Sequence, residues 1–149
     1  MVVGASAQTS ARPEPSETDK ARIALMKRRR AAWKDHKPSD NATQLLAKVS
    51  SGEVVLDNRD LRSLTKSLLE ALDVPVSSQL LVFSGSASQG TNVNPHNPRA
   101  IYFNDEVYVG VVPGGLLEMI GVDAQIGGVP YTFRDVGTGR APTTTDGAE

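Results

Sequence analysis

Few side chains in this sequence can do chemistry. It holds two histidines, His36 and His96, and no cysteine. The absence of thiols excludes disulfides, thiolate catalysis, Cys-ligated zinc, iron–sulfur clusters and covalent haem attachment within the sequence. Metal binding by His and carboxylate would need three or four convergent ligands, but His36 lies in a basic linker and His96 in a loop between Pro95 and Asn97. Both read as solvated or turn-stabilising, so no metal site is expected. Ser84-Gly85-Ser86-Ala87-Ser88 has the hydroxyls of a serine elbow, yet it lacks the G-x-S-x-G order and the helix that must follow. It reads as a loop. Pro113-Gly114-Gly115 and Gly127-Gly128 lack phosphate-cradle spacing and read as turns. Asp105-Glu106, Glu118 and Asp123 offer carboxylates for acid–base work, but hairpin turns select Asp for backbone reasons.

The elements that must position these groups follow from periodicity. Good helix formers run from Glu17 to about Lys34, with Ser16 or Thr18 available as N-cap. Asp40 or Asn41 can cap a short helix through Leu45, Leu46 and Val49 that Gly52 ends in the left-handed conformation. Glu53–Leu56 has the composition of a short strand. After Asp60, Leu61, Leu64, Leu68, Leu69 and Leu72 mark one face of the strongest helix, which Pro75 must stop. Strand formers then dominate: Gln79–Ser84, Arg99–Phe103, Glu106–Val112, Leu116–Val122 and Gly128–Phe133, with a long Ser/Gly/Asn/Pro loop from Gly85 to Pro98. A hairpin across Asn104-Asp105 is expected to place Ala100, Tyr102, Val107, Val109 and Val111 on one face, with Ile101, Phe103 and Tyr108 on the other.

Charge divides the chain. Lys20–Lys37 holds eight basic residues against one acid, whereas Pro38–Glu149 holds seven against thirteen. The run Lys27-Arg28-Arg29-Arg30 is a candidate for polyanion contact, but no aromatic platform accompanies it, so nucleic acid is disfavoured as a partner. No apolar run approaches the roughly 20 residues that span a bilayer. Ala5-Ser6-Ala7 before Gln8 has the small residues of a signal cleavage region without the basic and apolar segments that precede one.

Pro75-Val76-Ser77-Ser78-Gln79, Leu81-Val82-Phe83-Ser84, Pro98–Asp105 and Val107-Tyr108-Val109-Gly110, continued by Pro113-Gly114-Gly115, Leu117-Glu118, Val122-Asp123 and Tyr131-Thr132-Phe133, carry a resemblance. Over about Leu45–Phe133 the chain resembles a family of uncharacterised exported bacterial proteins that are c-type-cytochrome-like. Longer members carry a C-x-x-C-H haem-attachment sequence after the segment matching Tyr131. The resemblance implies haem c for those members only: no cofactor is expected in this chain, and no catalytic residue carries over to it.

The expected architecture is α+β, with N-terminal helices followed by a four- or five-stranded antiparallel β-meander. Residues 1–16 form a disordered leader, 17–37 a basic helix and linker, 38–133 one domain and 134–149 a disordered tail. The expected function is a non-catalytic packing and partner-binding module, the N-terminal part of an exported cytochrome-c-like protein and a candidate truncated product. Its rivals are an autonomous periplasmic ligand-binding domain with the Gly85–Pro98 loop as lid and, more weakly, a small serine hydrolase using Ser84 or Ser86. Because both hairpin faces are apolar, the face of Ile101, Phe103 and Tyr108, edged by Arg99 and Glu106, is the expected partner surface. Its occupant would be a haem-bearing domain or a second copy. The setting implied is periplasmic or otherwise exported, or cytoplasmic if the short N-terminus is genuine.

Overall fold

The computed structural model describes residues 14–83 and 92–146. The chain divides into two compact units, residues 1–35 and 36–149. The first contains helix α1, Glu17–Asp35. Ser16 Oγ accepts from Asp19 N–H (3.1 Å) and Asp19 Oδ2 accepts in return from Ser16 N–H (3.2 Å), so two otherwise unpaired amides at the helix start are satisfied together. Ile23, Leu25 and Met26 are exposed.

The second unit opens with α2 (Asn41–Ser51) and α3 (Leu61–Ala71). Asp40 caps α2 by accepting from Thr43 N–H at 3.0 Å, and Asp60 caps α3 by accepting from Ser63 N–H at 2.7 Å. Gly52 ends α2 at φ 77°, a conformation that costs a residue without Cβ little. Six strands follow as a continuous antiparallel meander in sequence order: β1 (Leu80–Val82), β2 (Arg99–Phe103), β3 (Val107–Val111), β4 (Leu117–Asp123), β5 (Gly127–Arg134) and β6 (Thr143–Asp146). The architecture is α+β, helices first and meander second, as the periodicity predicts. No helix among the described residues is long and apolar enough to cross a membrane.

Three local expectations change. Glu53–Leu56 is not a strand: Val54 N–H turns back to Lys48 O (3.1 Å) and Val55 stands exposed, with only Leu56 buried. The β2–β3 hairpin closes over Asp105-Glu106 rather than Asn104-Asp105, because Asn104 Oδ1 accepts from both Glu106 and Val107 N–H (2.9 Å each) and builds the turn with its side chain. Phe103 therefore pairs with Tyr108 and Tyr102 with Val109. This register keeps every residue on its expected face, since strand pairing alternates with a period of two.

The third change is at the C-terminal end, where β6 makes a sixth strand in a stretch whose composition reads as a disordered tail. The cause is Asn58, 3% exposed. Its Nδ2 donates to Asp135 O and Arg140 O (2.8 Å each), its Oδ1 accepts from Gly137 N–H (2.9 Å), and its own carbonyl accepts from Gly139 N–H (2.8 Å). One buried amide organises the turn that returns the chain to β5. Replacing it by an apolar isostere leaves three backbone groups without partners, so Asn58→Leu is expected to cost about 2–3 kcal/mol. Hydrogen exchange should show β6 amides losing protection before those of β4. Equal protection in wild type and variant would contradict this role.

Candidate functional site

The sheet's two faces differ. On one, Leu117, Met119, Val107, Val109, Val129 and Phe133 are buried to within 1%, with α2 packed on β4 and α3 beside Tyr102 and Val111. On the other, Tyr108, Ile120 and Val122 are 44%, 41% and 43% exposed, and Leu80 on β1 is more open still. Along β4 the alternation is strict, with Leu117, Met119, Gly121 and Asp123 inward and Glu118, Ile120 and Val122 outward. An antiparallel sheet with one wet face normally carries polar side chains there. This one carries an apolar field.

At the centre of that field lies Gly110, paired with Ile101 on one side and Glu118 on the other. A Cβ at this position would meet only Arg99 Cδ at 3.7 Å and Glu118 Oε2 at 3.9 Å, so the glycine leaves a floor over which the Arg99 side chain crosses β3. Its Nη2 reaches Glu118 Oε2 at 2.9 Å, and the pair is largely buried. Arg99 Nε is buried and meets no hydrogen-bond acceptor among the described residues. A notch of about 370 Å³ surrounds the pair, walled by Ile101, Tyr108, Ile120 and Pro130. Phe103 and Tyr108 stack with ring centroids 6.1 Å apart and planes 23° apart.

Of the five surface residues expected from sequence, Arg99, Ile101, Phe103 and Tyr108 converge on this face. Glu106 does not. Its carboxylate accepts from Asn41 Nδ2 at the start of α2, because the hairpin turn directs it toward the helix. The acid that edges the face is Glu118, which alternation along β4 places outward but which carries no sequence mark linking it to Arg99.

A second polar cluster fixes the strand ends. Asp123, its side chain 1% exposed, accepts from Ser39 N–H (2.9 Å), His36 Nε2 (3.0 Å), Gln125 N–H (2.8 Å) and Ile126 N–H (3.1 Å). These bonds, Ser39 N–H foremost and His36 next, hold its carboxyl well below the usual carboxylate range against the opposing effect of burial. Beside it, buried Asp40 accepts from Tyr131 OH (3.1 Å) and Thr43 Oγ1 (2.9 Å). Gly121 makes room, since a Cβ there would collide with the Asp40 carboxylate. His36, expected to be solvated, is therefore a structural partner recruited across 87 positions, a distance at which no local pattern reports.

Among the described residues the remaining sequence candidates do not gather into catalytic geometry. His96 sits in a turn whose Asn94 Oδ1 accepts its N–H at 2.9 Å. No group of three or more His, Asp or Glu side chains able to hold a metal occurs among the described residues. Ser84, Ser86 and the first part of the Gly85–Pro98 loop lie outside the described residues. Comparison with protein-family models, with curated proteins and with solved structures finds no match.

The depressed acidity of Asp123 has a signed consequence. Its stabilising contribution is complete above the unfolded carboxyl value of about 3.9 and fades as pH falls further through the lower folded value. Urea midpoints measured from pH 5 downward should fall more steeply for wild type than for Asp123→Asn, which lacks the titrating group. Parallel pH profiles would show that Asp123 carries no such linkage.

Proposed function

We propose that this chain is a non-catalytic packing and partner-binding module that works through its uncovered sheet face, and that the occupant is a second copy of the chain. The observation that carries the reading is a contiguous apolar field, Tyr108, Ile120 and Val122 with Leu80 beside it, on a sheet whose opposite face holds the core. Such a field on an otherwise charged molecule marks an interaction surface. Six strands about 4.8 Å apart and roughly 10–26 Å long present roughly 500 Å² in projection, about two thirds of the ~800 Å² one partner contributes to a standard interface.

The ion pair argues for a copy of the same chain. Arg99 and Glu118 lie side by side near the middle of the field, so a two-fold axis through the notch sets each arginine against the partner's glutamate. Interfaces of this kind use an apolar centre with a few satisfied polar groups, and Arg is enriched in them. The resemblance over 45–133 supports a related arrangement in longer exported cytochrome-c-like proteins, where the same face would abut a haem-bearing domain. Haem c would belong to that domain's own attachment sequence.

Sedimentation velocity over a concentration series tests the reading. Wild type is expected to shift from monomer to dimer, and Tyr108→Ser combined with Ile120→Lys to remain monomeric with its melting temperature within a few degrees of wild type. A wild type that is monomeric throughout, with a double variant that loses most of its stability, would make these side chains core and overturn the proposal.

A further inference from the structure

On the opposite side of the sheet, the first and third turns of α3 do not close completely onto β2 and β3. A groove of about 530 Å³ remains. Its walls are apolar: Leu61 and Leu69 from α3, Tyr102 and Val111 from the sheet, and Val76 and Pro113 at the two ends. Each of the two hydroxyls in these walls already has one hydrogen-bond partner. Thr65 Oγ1 donates to Leu61 O at 2.7 Å, and Tyr102 OH accepts from Gln79 Nε2 at 2.9 Å. Two cations stand at the rim, Arg62 and Lys66, one helical turn apart on the exposed side of α3. Lys66 lies 3.8 Å from Glu70, and Arg62 forms no ion pair among the described residues.

We propose that this groove binds a fatty acid, with the acyl chain along Leu61, Leu69, Tyr102 and Val111 and the carboxylate at Arg62 and Lys66. The volume falls within the ~300–1,000 Å³ of small-molecule sites. Walls dominated by aliphatic and aromatic carbon favour an alkyl chain over a sugar or nucleotide. Paired cations beside such walls select a negative head, with Arg62 offering the planar fork that matches a carboxylate. The proposal is independent of the dimer face, which lies across the sheet.

Calorimetric titration of the full chain with dodecanoate below its micellar concentration, and with dodecyltrimethylammonium as the cationic counterpart, tests it. Saturable dodecanoate binding is expected, with amide shifts confined to α3, Val76, Tyr102 and Val111, and with the cationic amphiphile at least about tenfold weaker. Arg62→Glu with Lys66→Glu changes only exposed side chains, at the cost of the Lys66–Glu70 pair; it should reverse that preference and lower the melting temperature by no more than a few degrees. Absence of saturable binding, equal affinity for both amphiphiles, shifts at Tyr108 and Ile120, or binding confined to an acidic amphipathic peptide would each overturn the assignment.

Discussion

A six-stranded sheet has two faces to protect from water, and among the described residues of the 36–149 unit there are two amphipathic α-helices, both on the same side. Everything else follows from that imbalance. The covered face is continuous core from Val107 through Met119 to Phe133, with the apolar burial that dominates folding free energy. The other face keeps apolar side chains with no helix among the described residues of this unit to cover them, and at its centre an ion pair lies over a glycine. An apolar face retained despite the cost of solvent exposure is informative about association, whereas a single exposed leucine is not.

Buried polar side chains set the geometry of the covered side. Asp40 is at once the cap of α2 and the acceptor for Tyr131 OH on β5, so one carboxylate joins helix start to sheet. Asp123 ties the β4–β5 turn to the 36–39 segment, and Asn58 ties the turn before β6 to the approach to α3. Each joins segments that are remote in sequence, and each is costly to leave half-satisfied because the surroundings exclude water. Gly121 is required by the first of these contacts, which gives a glycine in mid-strand a packing reason.

How much of this was legible in the sequence depends on the range of the interaction. Caps and stops act within four residues, so Ser16, Asp40, Asp60 and Gly52 are readable directly, and the leucine spacing of α3 reports its buried face. The hairpin's faces are readable even with the turn misplaced by one residue, because pairing parity survives the shift. Glu53–Leu56 has strand composition but no neighbouring strand to complete its hydrogen bonds, and composition cannot supply one. β6 is invisible because its order is imposed by Asn58, some 80 residues earlier. His36 with Asp123, and Arg99 with Glu118, are paired by topology alone; of the five surface residues expected, only Glu106 is misplaced, where turn geometry overrides alternation.

The central claim is that one sheet face is core and the other is open in the monomer and closed by a second copy. Because the sequence holds no cysteine, single thiols can report on each face separately. The direct measurement is the rate of maleimide labelling of Ile120→Cys and Met119→Cys, neighbours on β4 that point to opposite faces, followed over protein concentration. The thiol at 120 should react at close to the rate of a free thiol in dilute solution and slow as concentration rises, while the thiol at 119 stays protected throughout. Protection at position 120 that persists at the lowest concentration would mean that the chain covers this face itself, and would contradict the account.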